Sequence, residues 1–177
     1  MTITTHDRLN RENTMASTPA STVAVARRSR WLTAAWAGLL LFGAFNAFAA
    51  MMDLVATAGS GLPSDHTGTF ARISGTTWDS AKAAQPGTAH YVTLLERGYA
   101  LHELTFAILF LAIVAVPFRT RQRWAWWSCW ALLIAYAGYT LTFGAHDPVI
   151  LPRSLIGLIG LPVLLLVHLP AFFRRER

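Results

Sequence analysis

His102 and Glu103 stand side by side inside YALHELTFAILFLAIVAVPF, residues 99–118, a run apolar enough to lie in a membrane. An imidazole and a carboxylate at such a place can move a proton, hold a cation or hydrogen-bond a ligand. A charged carboxylate well inside a bilayer costs about 2.5–3.5 kcal/mol on insertion scales. It therefore faces the bundle and finds a partner there, or else binds a proton. Adjacent residues lie ~100° apart around a helix, so His102 does not fully share Glu103's face. A partner for Glu103 is sought on another helix.

Counting along each apolar stretch at ~1.5 Å per residue gives the depth of every polar side chain. Glu103 counted from Phe118, Asn46 from Trp31, and Tyr139 with Thr140 from Trp124 all fall ~22–24 Å up. Asp53, Glu96 and His146 fall near ~33 Å, at the outer boundary. Asn46 and Asp53 share a face of the first stretch, and Glu96, Tyr99, Glu103 and Phe106 follow 3-4-3 spacing on the second. Tyr136, Tyr139 and Thr140 form a like stripe on the third. Three helices thus bring polar groups to one level. Asn46, Asp53, His102, Glu103, Tyr139 and Thr140 are the candidate ligand-binding residues, weighed against a purely structural hydrogen-bonded layer. Gly43, Ala47, Ala50, Gly138, Gly157 and Gly160 line other faces and allow close helix approach.

The elements that must position these groups are four apolar stretches, about 31–56, 91–118, 124–143 and 153–173. Each reaches or approaches the ~20 residues that cross ~30 Å of hydrocarbon. The chain is 54% hydrophobic and 14% charged, which fits a soluble domain badly. The expected fold is an all-α integral membrane protein, a four-transmembrane-helix bundle over 27–177, multi-pass in the cell membrane. Eleven of the fifteen basic residues lie before the first span, between the second and third, or after the fourth. The positive-inside rule makes those segments, and hence both termini, cytoplasmic. The pI near 10.4 then reports topology and a grip on anionic lipid, not nucleic acid.

Residues 1–26 are expected to be a disordered cytoplasmic tail, and Met15 is an alternative start. The paired arginine, the apolar run and Ala47-Phe48-Ala49 imitate a cleavable export signal. Apolar character continues to Ala56, longer than such a signal needs, so the first span is expected to be retained. The 57–90 segment is a long outer loop, and a loop of that length usually has a role. Within it, Thr76 and Asp79 are expected to cap a short helix over 78–84, with Trp78 on the membrane surface. Thr88 is the expected N-cap of the second span.

Specific chemistries can be excluded one at a time. His102-Glu103 is followed by Leu104, Thr105 and Phe106, so HExxH fails at its last position. His102 lies high and His168 low, so they do not face each other across one haem. No nucleophile elbow supports a serine triad. Cys129, the single cysteine, can form neither an intrachain disulfide nor a CxxC pair. No catalytic residue, metal site or cofactor is expected.

Two segments carry a resemblance. FNAFAAMMDLVATAGSGLP (45–63) has an Asp in a Met-Asp-Leu setting, and HELTFAILFLAIVAVPF (102–118) has Glu-Leu-x-Phe. Together they resemble the EXPERA-type four-helix proteins, which include the sigma-2 receptor and sterol isomerases. The resemblance implies cytosolic termini and a membrane-buried pocket for sterols or cationic amphiphiles, with Asp53 and Glu103 as its paired acids. The family's glutamine four residues after that glutamate is Ala107 here, and the isomerases' proton-transferring His and Glu residues are not matched. RQRWAWWSCW also resembles a segment of bacterial four-helix membrane proteins with no assigned chemistry.

The expected function is a polar, acidic pocket in the outer half of the bundle that binds a lipid-like or cationic amphiphilic small molecule. The alternative is a non-catalytic accessory or assembly subunit of a membrane complex. The expected partners are membrane lipid and that small molecule, with a homodimer or a partner membrane protein under the alternative.

Overall fold

The computed structural model describes residues 19–173, with side chains described from Arg30. The described residues are helical and contain no strand. Helix α1 runs Pro19–Gly59, α2 Ser64–Ser74, α3 Trp78–Ala84 and α4 Pro86–Ile113. Helices α5 (Arg123–Cys129) and α6 (Ala131–Tyr139) follow a tight turn, and α7 (Ile150–Phe173) is the last described element. Residues 1–18, most of the expected tail, lie outside the described residues. The chain divides into two compact units at Ala34. The first consists, as far as it is described, of the early turns of α1; the second holds everything from Ala35.

Three helical stretches are long and apolar enough to cross a membrane: Arg30–Gly59, Pro86–Phe118 and Ile150–Phe173. Their outward faces are aliphatic. Leu41 and Ile156 are each 72% exposed and Ile134 on α6 is 76% exposed. A soluble monomer does not present a continuous apolar surface on this scale, whereas hydrocarbon solvates it at no cost. The stretch expected as a third span, 124–143, is not one helix: it breaks at Trp130 into α5 and α6 and widens into a π-helical turn over Thr140–Gly144. Part of its polar content is satisfied inside the helix, because Thr140 and Thr142 return their hydroxyls to the carbonyls of Tyr136 and Gly138 at 2.7 and 2.8 Å.

Sequence explains the other irregularity too. Pro117 has no N–H, and its ring crowds the carbonyl four residues back, so the end of α4 widens into a π turn over Val114–Phe118. The Trp36 indole donates to the Val114 carbonyl at 2.9 Å. Around this point Leu39, Phe110, Val114, Phe118, Trp126, Cys129, Leu161 and Leu165 form a dense apolar core. Trp126 donates its indole N–H to the Leu165 carbonyl at 2.9 Å. His168 belongs to this end, edge-on to Phe118, with Nδ1 at 2.8 Å from the Leu164 carbonyl.

The 57–90 segment is structured. Trp78 is buried, not spread on a membrane surface: it packs with Leu62, Ala89 and Phe70 and donates its indole N–H to the Ser60 carbonyl at 2.9 Å. That carbonyl lies just past the end of α1, where backbone acceptors have no intrahelical partner. The cap of α3 is Thr77, whose hydroxyl accepts from the Ser80 N–H, one residue after the expected Thr76. Helix α4 begins at Pro86, two residues before the expected Thr88, because a proline's fixed φ and missing N–H suit a first helical position.

Helix α2 is fastened across the molecule by Asp147, in the loop before α7. Asp147 accepts from the Thr69 hydroxyl at 2.8 Å, the Arg72 guanidinium at 2.6 Å and the Val149 N–H at 2.8 Å. The Val149 bond first, against the opposing cost of burial, and then Thr69 and Arg72 hold its carboxyl below the ordinary 3.8. A depressed carboxylate contributes stability that is present above its unfolded value and lost as pH falls through the lower folded one. The α2 attachment is accordingly expected to survive mild acid. Asp147→Ala is expected to speed amide exchange across 64–74 by about tenfold at neutral pH, with little change in α7 below Leu161. Mass-spectrometric hydrogen exchange checks this, and uniform acceleration along the chain would refute a local fastening.

Candidate functional site

A cavity of about 320 Å³ lies between α1, α4, α6 and α7, with α2 at its margin. Its wall contains Asn46, Asp53, His102, Glu103 and Tyr139, five of the six residues singled out by depth and spacing. Thr140 is not part of the wall; its hydroxyl bonds the Tyr136 carbonyl. Asp65, His66, Tyr99, Tyr136, Arg153 and Ser154 also line it, and Phe45, Phe106 and Leu132 supply apolar surface.

Asn46 is a clamp between helices. It is 8% exposed, its amide N–H₂ donates to the Phe42 carbonyl at 2.7 Å, and its carbonyl accepts from the Tyr136 hydroxyl at 2.6 Å. Both of its polar ends are thus used, and it fixes where Tyr136 stands. Gly157 on α7 makes room for that tyrosine: a Cβ there would overlap the Tyr136 ring. His102 returns Nδ1 to the Gly98 carbonyl at 2.8 Å and stays exposed, while Glu103 is half-buried.

The residue that sequence reasoning missed is His66. It sits on α2, 4% exposed, with Nδ1 at 2.8 Å from Glu96 and Nε2 at 3.3 Å from the Tyr139 hydroxyl. Its ring stacks on Phe143 at 5.0 Å and 8°. Burial disfavours the imidazolium, but the Glu96 hydrogen bond and the charges of Glu96, Asp65 and Asp53 outweigh it and raise His66 above its ordinary 6.5. Glu96, placed by depth at the boundary, is therefore a paired group. Arg97 beside it donates to the Thr57 carbonyl near the end of α1 at 3.4 Å, the sign of charge a helix C-terminus favours.

The groups on the wall can hold a cation, exchange hydrogen bonds or pass a proton. Three carboxylates (Asp53, Asp65, Glu103), one guanidinium, two imidazoles and three phenols face a space walled elsewhere by aromatic and aliphatic groups. The bonds of Asn46, His66 and Tyr136 go to Phe42, Glu96, Tyr139 and one another, and not to Asp53 or Glu103. Among the described residues no group of three or more His, Cys, Asp or Glu side chains could hold a metal ion. Cys129 is buried in the apolar core, away from this wall.

Among the described residues, fold and cavity together define a helical protein with three helices long and apolar enough to span a membrane and a polar cavity between its helices. Comparison with family models, curated proteins and solved structures returns no match. The resemblance to EXPERA-type proteins therefore rests on segments 45–63 and 102–118 alone.

Proposed function

We propose that this chain is a four-span protein of the cell membrane whose cavity binds a lipid-like or cationic amphiphilic small molecule. Residues 124–143 form the remaining crossing, third along the chain, and both termini lie in the cytoplasm, as the skew of the basic residues supports. The observation that carries the reading is that Asp53 and Glu103 share one cavity wall and receive no hydrogen bond from the described side chains around them. Carboxylates in an apolar surround are costly unless a cation joins them. A bound ammonium supplies that charge, and Tyr99, Tyr136 and Tyr139 offer ring faces and hydroxyls to the same group.

The tail of such a molecule has an exit. Phe45 on α1 and Phe106 on α4 line the cavity and are 65% and 61% exposed, which marks where it opens. An alkyl chain passing between them reaches lipid without crossing a polar layer. A volume of about 320 Å³ suits a headgroup and its first methylenes.

Native mass spectrometry of the protein extracted with its lipids, wild type beside Glu103→Gln, tests the proposal. A small molecule retained by wild type and lost from the variant is the expected result, and its mass identifies it. Equal occupancy in both, an empty bundle in both, or a stoichiometric protein partner in place of a ligand would overturn the reading; the last would favour an accessory subunit.

A further inference from the structure

The chain Glu96–His66–Tyr139 ends on the cavity wall, and its hydrogen-bond directions are constrained. An ionised Glu96 carboxylate can only accept, so His66 Nδ1, 2.8 Å away, carries a proton in either charge state. The ring is 4% exposed and stacked at 8° on Phe143, so it is not free to turn over. Everything that changes therefore changes at Nε2, which faces the Tyr139 hydroxyl at 3.3 Å. Neutral His66 has a bare Nε2: Tyr139 donates its O–H to it and leaves its oxygen lone pair for the cavity. Protonated His66 donates from Nε2 to the Tyr139 oxygen, and the phenolic O–H must turn away from His66, on a residue that lines the cavity.

Resting on the reading that this cavity holds a cationic amphiphile, we propose that Glu96, His66 and Tyr139 form a polarity switch that sets which headgroup is accepted. With His66 neutral, Tyr139 is an acceptor and favours an ammonium that still carries N–H, a primary to tertiary amine. With His66 protonated, Tyr139 is a donor and that preference is lost. A quaternary ammonium has no N–H and is indifferent to the state of Tyr139. The site thereby prefers protonated amines over quaternary ones while His66 is neutral, and that preference depends on pH.

The groups that face His66 are Glu96, Tyr99 and Glu103 from α4, Tyr139 from α6, Asp53 from α1 and its own neighbour Asp65. Their acidic members keep the imidazolium beyond pH 6.5. The donor state of Tyr139 therefore extends through that value, and the acceptor state takes over above it.

The test compares dodecylamine with dodecyltrimethylammonium, titrated into the full-length protein in nanodiscs from about pH 5 to about pH 9. An alkyl amine titrates about where lysine does, ~10.4, and stays charged throughout. The ratio of amine to quaternary affinity is expected to rise about tenfold toward high pH in wild type, the effect of one hydrogen bond from a charged donor. The ratio is expected to be flat in His66→Gln and, independently, in Tyr139→Phe, which keeps the packed ring. A flat ratio in wild type, or a slope that persists in Tyr139→Phe, overturns the switch while leaving the amphiphile site standing. Failure of both compounds to bind wild type, or equal binding by Glu103→Gln, overturns the amphiphile reading and the switch with it.

Discussion

Gly157→Ala is expected to lower stability by about 2–4 kcal/mol and to remove ligand binding with it. The added methyl has nowhere to go. It overlaps the Tyr136 ring, whose hydroxyl holds the Asn46 carbonyl at 2.6 Å. A tyrosine has two rotatable bonds and this ring also packs at 5.3 Å on Phe42, so relief requires the whole side chain to leave its place. Overpacking alone costs about 1–3 kcal/mol, and a buried Asn46 carbonyl deprived of its donor adds about 1 kcal/mol more. The wall of the cavity between α1 and α6 moves as a consequence. Thermal unfolding in detergent should show a fall of roughly 5–15 °C. Gly160→Ala is the control, because a Cβ at Gly160 meets nothing within 4 Å. Its expected change is within about 0.5 kcal/mol. Equal behaviour of the two variants would remove the Gly157–Tyr136–Asn46 clamp from this account.

The degree to which the site was legible in the sequence follows from how each residue is held. Asn46, Glu103 and Tyr139 could be placed at one level by counting helical rise, and the cavity wall contains all three even though α4 ends in a π turn and the third stretch breaks at Trp130. Facing direction was harder. Thr140 follows Tyr139 directly, but it opens the π turn and returns its hydroxyl to the backbone. Side-chain spacing cannot foretell that choice between backbone and cavity.

His66 was invisible for a different reason. It belongs to a short helix inside a 34-residue connection, and neither depth nor periodicity says where such a connection lands. What places it is Asp147, almost eighty residues away, reaching Thr69 and Arg72. One signal was available: SDHTGTFARIS puts Asp65, His66, Thr69 and Arg72 on neighbouring turns of a polar helix that a solvent-exposed linker would not need. Trp78 teaches the same lesson. An aromatic next to a membrane span reads as an interface anchor, but here it has a carbonyl to satisfy and a small apolar core to fill.

Glu103→Gln is expected to weaken binding of an alkyl amine by about a hundredfold while leaving the unliganded protein as stable as wild type or slightly more so. The two signs together identify an anchor. A residue that holds the bundle together loses stability when it is changed, whereas a residue held in readiness for an absent cation loses none. Glu103 is half-buried in the same wall as Asp53, so two carboxylates repel one another across a confined space whose nearby cationic groups are His66 and Arg153. Glutamine keeps the shape and removes the repulsion, and sites that carry such strain are commonly relieved by losing the functional group. A hundredfold loss corresponds to about 2.7 kcal/mol, within the range for breaking one partner of a desolvated charge pair. Asp53→Asn is expected to behave alike but more weakly, since its neighbours on α1 lie nearer the loop end. The double variant is expected to lose less than the product of the two single losses, because each carboxylate acts on the same ammonium and the second removal breaks an attraction already halved. Binding isotherms for the four proteins, with thermal midpoints measured on the ligand-free samples, decide it. Strict additivity would mean two separate subsites, and a lowered midpoint for Glu103→Gln would return that residue to the role of a bundle contact.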